Sequence, residues 1–268
     1  MADGDQAESG QTDSGQTESP GGGRIGFAVD GGVATLTIDW PGSRNALVPE
    51  MAEELVRRCE EIDADPQIGA AVVRGAGGTF CSGAARGALD DFGADPAHPE
   101  AFRQLGAVYT AFVRVGSLAV PTIAAMQGAA VGAGVNLLFA TDLRIVAEDA
   151  RIIAGFLKIG LHPGGGHFVL TGRTAGREAA AAMALFSEEV SGTRAVELGL
   201  AWQALPADQV DARAAELAAR AARDPELART ATRSFRAELG APGMSWDTAV
   251  SYERASQMWS LRRKALLD

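Results

Sequence analysis

The chain has 268 residues, 47% hydrophobic and 22% charged, with a formal net charge of -10 and a pI near 4.9. That balance opposes non-specific nucleic-acid binding and offers no basic face to an anionic membrane, while the length suits one sizeable globular domain. The two cysteines, Cys59 and Cys81, fall on a predicted helix and a predicted turn, so no disulfide framework is expected and a reducing cytoplasm is the expected location.

Residues 1–23 are polar, acidic and rich in Gly, Ser, Thr and Gln, without a signal-peptide pattern; they cannot bury enough apolar area to offset ordering entropy, and a disordered tail is expected. No window reaches the length of a membrane span. From Arg24 the pattern alternates: Phe27 and Val29, then Val33 to Asp39, predict a hairpin around Asp30-Gly31-Gly32. A loop from Trp40 feeds a helix with the apolar stripe Leu47, Met51, Leu55, Cys59 and Ile62, ending before Asp65-Pro66. Gly69 to Arg74 predicts a short buried strand, followed by a glycine-rich turn and the small-residue run Phe80-Cys81-Ser82-Gly83-Ala84. Residues 85–100 show no clear period and predict a loop, and Glu100 to Leu118 a helix.

Pro121 to Asp142 predicts strand, glycine-rich turn and buried helix. Small residues there let a ligand or another backbone approach closely, and a helix N-terminus offers N–H groups to a negatively charged oxygen. Tight strand-to-helix packing without a ligand is the alternative. Further on, Leu143 to Val146 predicts a strand, Gly155 to Gly166 a glycine-rich loop, His167 onward a helix, Gly192 to Leu200 another helix and Leu200 to Leu205 a short strand. From Pro206 the chain reads as helical, with a break near Gly240 to Gly243. Strands alternating with helices imply an α/β fold, and the helical C-terminal third implies a cap or an assembly surface.

Several motifs then fall into one order: Arg44-Asn45-Ala46-Leu47, Phe80 to Ala84, Gln127 to Gly134, Asp142-Leu143-Arg144-Ile145, Leu161-His162-Pro163-Gly164-Gly165-Gly166, and Gly199-Leu200. This order resembles the crotonase, or enoyl-CoA hydratase/isomerase, superfamily over residues 24–268. The resemblance implies a spiral of ββα units with two roughly perpendicular sheets and a helical C-terminal region. It divides the chain into a tail (1–23), a crotonase-like α/β core (24–205) and a helical trimerisation or capping region (206–268). It also implies a homotrimer or dimer of trimers and an acyl-CoA thioester as substrate. No cofactor beyond the substrate's own CoA, and no metal, is implied.

The chemistry the resemblance implies is stabilisation of a thioester enolate by two backbone N–H donors, here those of Ala84 and Ala133. Such donors are each worth about 3–4 kcal/mol in acyl transfer. Arg44, Asn45, Ala46 and Leu47 match the family's loop beside CoA, and Lys264 matches a C-terminal lysine near the CoA phosphates of a neighbouring subunit. A solvated surface charge is the alternative for Arg44 and for Lys264.

The match breaks where a hydratase needs its two glutamates. Asn136 stands at the first of those positions and Phe156 at the second, and neither side chain titrates, which argues against ordinary hydratase activity. His162 and His167 are candidate bases near the pocket, each with a plain structural role as alternative. Asp90 and Asp91, in the loop after Ala84, are a further source of a carboxylate, and Cys81 reads as packing. Phe156, Leu157, Phe168 and Met183 are candidates for an apolar acyl pocket. Two readings stay open: an enzyme working through an enolate, and a non-catalytic acyl-CoA-binding protein on the same fold.

Overall fold

The computed structural model describes residues 22–85, 87, 93, 95, 97–239 and 245–266. The expected tail, apart from Gly22 and Gly23, lies outside the described residues, as do Asp90, Asp91 and the break expected near Gly240.

Strands β1 (Arg24–Asp30) and β2 (Val33–Asp39) form the expected hairpin, closed by Gly31 and Gly32 at φ 53° and 78°. A two-residue turn needs that left-handed geometry, and glycine supplies it without strain. From β2 the sheet continues in parallel through β3 (Ala70–Gly75), β4 (Thr122–Met126), β6 (Leu143–Ala147) and β9 (Gln203–Leu205), giving the order β1-β2-β3-β4-β6-β9. β2 alternates, burying Ala34, Leu36 and Ile38, whereas β4 is buried at every residue. The difference follows position, since central parallel strands are covered on both faces.

A second, three-stranded sheet joins β5 (Ala129–Val131), β7 (Arg151–Ile153) and β8 (Glu189–Ser191). Part of the segment 128–134, expected as a turn, is the strand β5, and 151–153 and 189–191 carry no strand signal in the sequence. Three-residue strands are too short to show a period; pairing with distant segments makes them strands.

Helices α1 (Pro49–Ala64) and α2 (Pro99–Gly116) pack against each other, and α3 (Ala133–Ala140) is buried over all but its first residue. Next come α4 (His167–Ala184), which kinks at Gly176, and α5 (Gly192–Glu197), capped by the Ser191 hydroxyl. The C-terminal third forms α6 (Ala207–Ala221), α7 (Pro225–Leu239) and α8 (Trp246–Ala265), with an additional break at 222–224. α6 packs on β3, β4 and β6, while α8 returns to lie against α2 and α4. That return brings the end of the chain to the glycine-rich loop before His167.

Candidate active site

The site is built where two turns meet. Cys81 N–H donates to Ala129 O at 3.1 Å and Val131 N–H to Cys81 O at 3.0 Å, which lays residue 81 beside β5. On its other side the segment is tied to the Arg44–Leu47 loop: Ser82 N–H reaches Arg44 O at 3.0 Å, Leu47 N–H reaches Gly83 O at 2.8 Å, and Ala85 N–H reaches Leu47 O at 2.9 Å. Glycine permits the approach. A Cβ on Gly134 would lie 2.1 Å from Cys81 O, and one on Gly83 would lie 2.7 Å from Val131 O and 3.4 Å from Ala133 N.

Ala84 and Ala133 therefore line one cavity of about 160 Å³. Ala133 opens α3, so its N–H has no acceptor within the helix. Neither Ala84 N–H nor Ala133 N–H donates to a hydrogen bond among the described residues. The remaining walls come from Leu105, Val108 and Tyr109 of α2, Asn136 of α3, the 154–164 segment including Phe156, Ile159 and Gly164, and Gln257 of α8.

Asn136 is 1% exposed and its amide is bonded at both ends: Nδ2 donates to Gly164 O at 2.7 Å, and Oδ1 accepts from His167 Nδ1 at 2.8 Å. Phe156 lines the cavity and meets the His167 ring edge-on, 5.0 Å between centroids. His167 itself is buried behind these two and is not among the lining residues. Its Nε2 has no hydrogen-bond partner among the described residues, and burial pushes the imidazole down to about 4, so it is neutral at pH 7. His162 also lies off the cavity wall, its Nδ1 donating to Pro163 O at 2.6 Å. Neither histidine proposed as a base is among the described residues lining the cavity, and each ring has a protein contact at Nδ1.

Of the loop expected beside CoA, Arg44 is exposed, whereas Asn45, Ala46 and Leu47 are buried. Asn45 spends its side chain on the fold, accepting from Trp40 N–H at 2.8 Å and donating to Ala76 O and Thr79 O at 2.8 and 2.6 Å. Lys264 stands in the last turn of α8 and is not among the lining residues. Leu157 is exposed, Phe168 lines a different surface groove and Met183 is core, so of the four expected acyl-pocket residues only Phe156 lines this cavity. Burial pushes the Cys81 thiol up to about 12, consistent with packing.

Three further residues near the site belong to none of the sequence motifs. Tyr109 lies on the apolar stripe of α2, its Oη without a hydrogen-bond partner among the described residues, and burial holds its phenol above the usual range. Gln257 reaches the cavity from α8. Glu253, one turn earlier, accepts N–H bonds from Gly166 at 2.8 Å and His167 at 3.2 Å, capping α4; burial pushes its carboxyl up to about 7 against the pull of the Gly166, His167 and Phe168 amides. For Glu253 and Gln257 the available signal is their four-residue spacing on a helix that also buries Ala249, Val250 and Leu261.

A family model described as enoyl-CoA hydratase/isomerase matches residues 28–251. The chain is 40% identical over 217 residues to "Probable enoyl-CoA hydratase EchA14" of Mycobacterium tuberculosis, covering 81% of this chain and 82% of that one. It is 33% identical over 200 residues to the 1,2-epoxyphenylacetyl-CoA isomerase of Escherichia coli, covering 74% and 75%. The crystal structure of an enoyl-CoA hydratase from Mycobacterium avium subsp. paratuberculosis superposes with a TM-score of 0.78 at 26% identity, over 93% of this chain and 99% of that one. The chain belongs to the enoyl-CoA hydratase/isomerase family, within the crotonase superfamily, whose members act on acyl-CoA thioesters. No helix among the described residues is long and apolar enough to cross a membrane.

Proposed function

We propose that this chain is an acyl-CoA enzyme that stabilises a thioester enolate between the N–H groups of Ala84 and Ala133, with hydration of simple enoyl-CoA thioesters outside its main activity. The observation that carries the reading is that these two residues line one cavity and neither N–H has an acceptor among the described residues. A thioester oxygen gaining negative charge is the acceptor such a pair is suited to. Against hydration stands the amide of Asn136, which cannot titrate and is already bonded at both ends, and the hydrocarbon ring of Phe156. The exposed apolar groove of Pro121, Leu143, Leu227, Ala231 and Phe235 supports assembly as a trimer or dimer of trimers, which sedimentation would measure.

The test combines calorimetric binding of crotonyl-CoA, hydration assayed with the same compound, and α-deuterium exchange into butanoyl-CoA in D2O. Binding with exchange and slow hydration is expected. Hydration at rates typical of enzymes overturns the reading of positions 136 and 156, and absence of binding overturns the acyl-CoA reading altogether. Binding without any turnover favours the second reading, a non-catalytic acyl-CoA-binding protein, which the non-titrating Asn136 amide, bonded at both ends, supports.

A further inference from the structure

Among the described residues lining the cavity, Tyr109 carries the one titratable side chain. The residue is 2% exposed and its Oη has no hydrogen-bond partner among the described residues. A buried hydroxyl without a partner is costly, and a native fold retains one where a ligand supplies what the protein does not. Two glycines pack closely against it. A Cβ on Gly164 would come within 2.4 Å of Tyr109 Oη and 2.2 Å of Gln257 Oε1, and one on Gly165 within 3.2 Å of the Tyr109 ring. The phenol oxygen and the Gln257 amide oxygen thus both pack directly against Gly164.

The ring is held in place from behind. The Arg254 guanidinium lies 5.5 Å from the Tyr109 centroid and 4.5 Å from that of Phe102. Burial keeps the phenol protonated, so at neutral pH it offers a donor and not a base. The cavity, about 160 Å³, holds on the order of five waters, which suits a short chain.

We propose that Tyr109 Oη–H donates a hydrogen bond to an oxygen on the acyl chain beyond the thioester carbonyl, making short oxygen-bearing acyl-CoA thioesters the preferred ligands. The inference rests on the acyl-CoA reading above and names the substrate class of that same site.

The experiment measures dissociation constants of butanoyl-CoA, 2-hydroxybutanoyl-CoA and 3-hydroxybutanoyl-CoA for the wild-type protein and for Tyr109→Phe. The variant keeps the ring and its stacking on Arg254 while removing the donor, and its fold is checked by circular dichroism. At least one hydroxylated ligand should bind the wild type on the order of tenfold more tightly than butanoyl-CoA, and the variant should lose that preference. Equal binding of all three ligands by the wild type overturns the proposal without recourse to the variant. An equal loss of affinity for every ligand in Tyr109→Phe also overturns it, leaving a pocket-shaping role and the acyl-CoA reading intact. If none of the ligands binds the wild type, both the proposal and the reading beneath it fail.

Discussion

His167 Nδ1 lies 2.8 Å from Asn136 Oδ1, and the other end of the Asn136 amide lies 2.7 Å from Gly164 O. The geometry fixes the proton. A carbonyl only accepts, so the NH2 end of the amide faces Gly164, the oxygen faces the ring, and Nδ1 supplies the hydrogen. His167 is therefore the Nδ1–H tautomer with its lone pair on Nε2. Nitrogen NMR of 15N-histidine protein, with the His167 signals assigned by their absence in His167→Gln, should show Nδ1 protonated and Nε2 bare. The pattern should persist from about pH 8 to about pH 5, since burial holds the pKa at about 4. A midpoint near 6.5 would contradict it.

The same contact predicts what a carboxylate at position 136 would do. In Asn136→Asp an acceptor replaces the donor facing Gly164 O, and the buried charge loses its water. The loss of stability should be about 2–4 kcal/mol at pH 7. Because the folded-state pKa of that aspartate would be raised, the folded form takes up the proton and the deficit shrinks as pH falls towards 5. Denaturant unfolding at both pH values checks this, and crotonyl-CoA hydration should remain slow.

Glu253 and His167 predict a compensated pH profile. Glu253 titrates at about 7 in the fold against about 4.3 when unfolded, so its contribution is full below the lower value and is lost as pH rises through 7. His167 titrates at about 4 against about 6.5, so its contribution is full above the higher value and is lost as pH falls to 4. Between about pH 4.5 and 6.5 the slopes oppose, each up to about 1.4 kcal/mol per unit. Glu253→Gln keeps an acceptor for the α4 amides and removes one slope. Its unfolding free energy relative to wild type should rise with pH across that window, by up to about 1.4 kcal/mol per unit. A constant difference from pH 5 to 6.5 would show that Glu253 does not titrate there.

These contacts mark the limit of what the sequence discloses. The hairpin, α1, β3, α2, β4 and β6 were legible because each is long enough to display a period of two or 3.6, or a continuous apolar run. The turns carrying Ala84 and Ala133 were legible through their small residues, since close backbone approach leaves a local trace at Gly83 and Gly134. The strands of the small sheet were not, being three residues each and defined by their partners. Nor were Tyr109, Glu253 and Gln257: their roles arise when α8 folds back on α2 and α4, a pairing between segments far apart in the chain. The orientation of the histidines was equally invisible, because a motif gives a ring its position in the chain and not the carbonyl or amide it will turn towards.

Gly134 offers a test of the meeting of the turns. Within a helix, Gly→Ala ordinarily stabilises by about 1 kcal/mol. At Gly134 the new Cβ would sit 2.1 Å from Cys81 O, a backbone atom that cannot rotate away. Gly134→Ala should therefore lose at least about 2 kcal/mol and lower Tm by about 4 °C or more, with weaker crotonyl-CoA binding. Gly172→Ala in α4 is the control: its Cβ would meet only Ala180 Cβ, at 3.9 Å, and the change should be neutral or stabilising by up to about 1 kcal/mol. Parallel thermal melts decide; similar behaviour of the two variants would count against the close packing.

Arg44 and Asn45 are adjacent in sequence, both left-handed at φ 52° and 57°, and should separate cleanly in their effects. Asn45 is buried, and its side chain ties Trp40 N–H to Ala76 O and Thr79 O, bracing the turn that leads to Ala84. Asn45→Ala would strand those groups and give up a residue type that tolerates the left-handed region, so stability should fall by about 2–4 kcal/mol. Arg44 is exposed, and Arg44→Ala should change stability by no more than about 0.5 kcal/mol. If its guanidinium meets the CoA moiety, the variant should bind crotonyl-CoA about two- to fivefold more weakly at low ionic strength, with the difference shrinking as salt is added. Unfolding curves and salt-dependent calorimetry on both variants make the comparison. A stable Asn45→Ala protein, or an Arg44→Ala protein with unchanged affinity in low salt, would remove the corresponding half of the assignment.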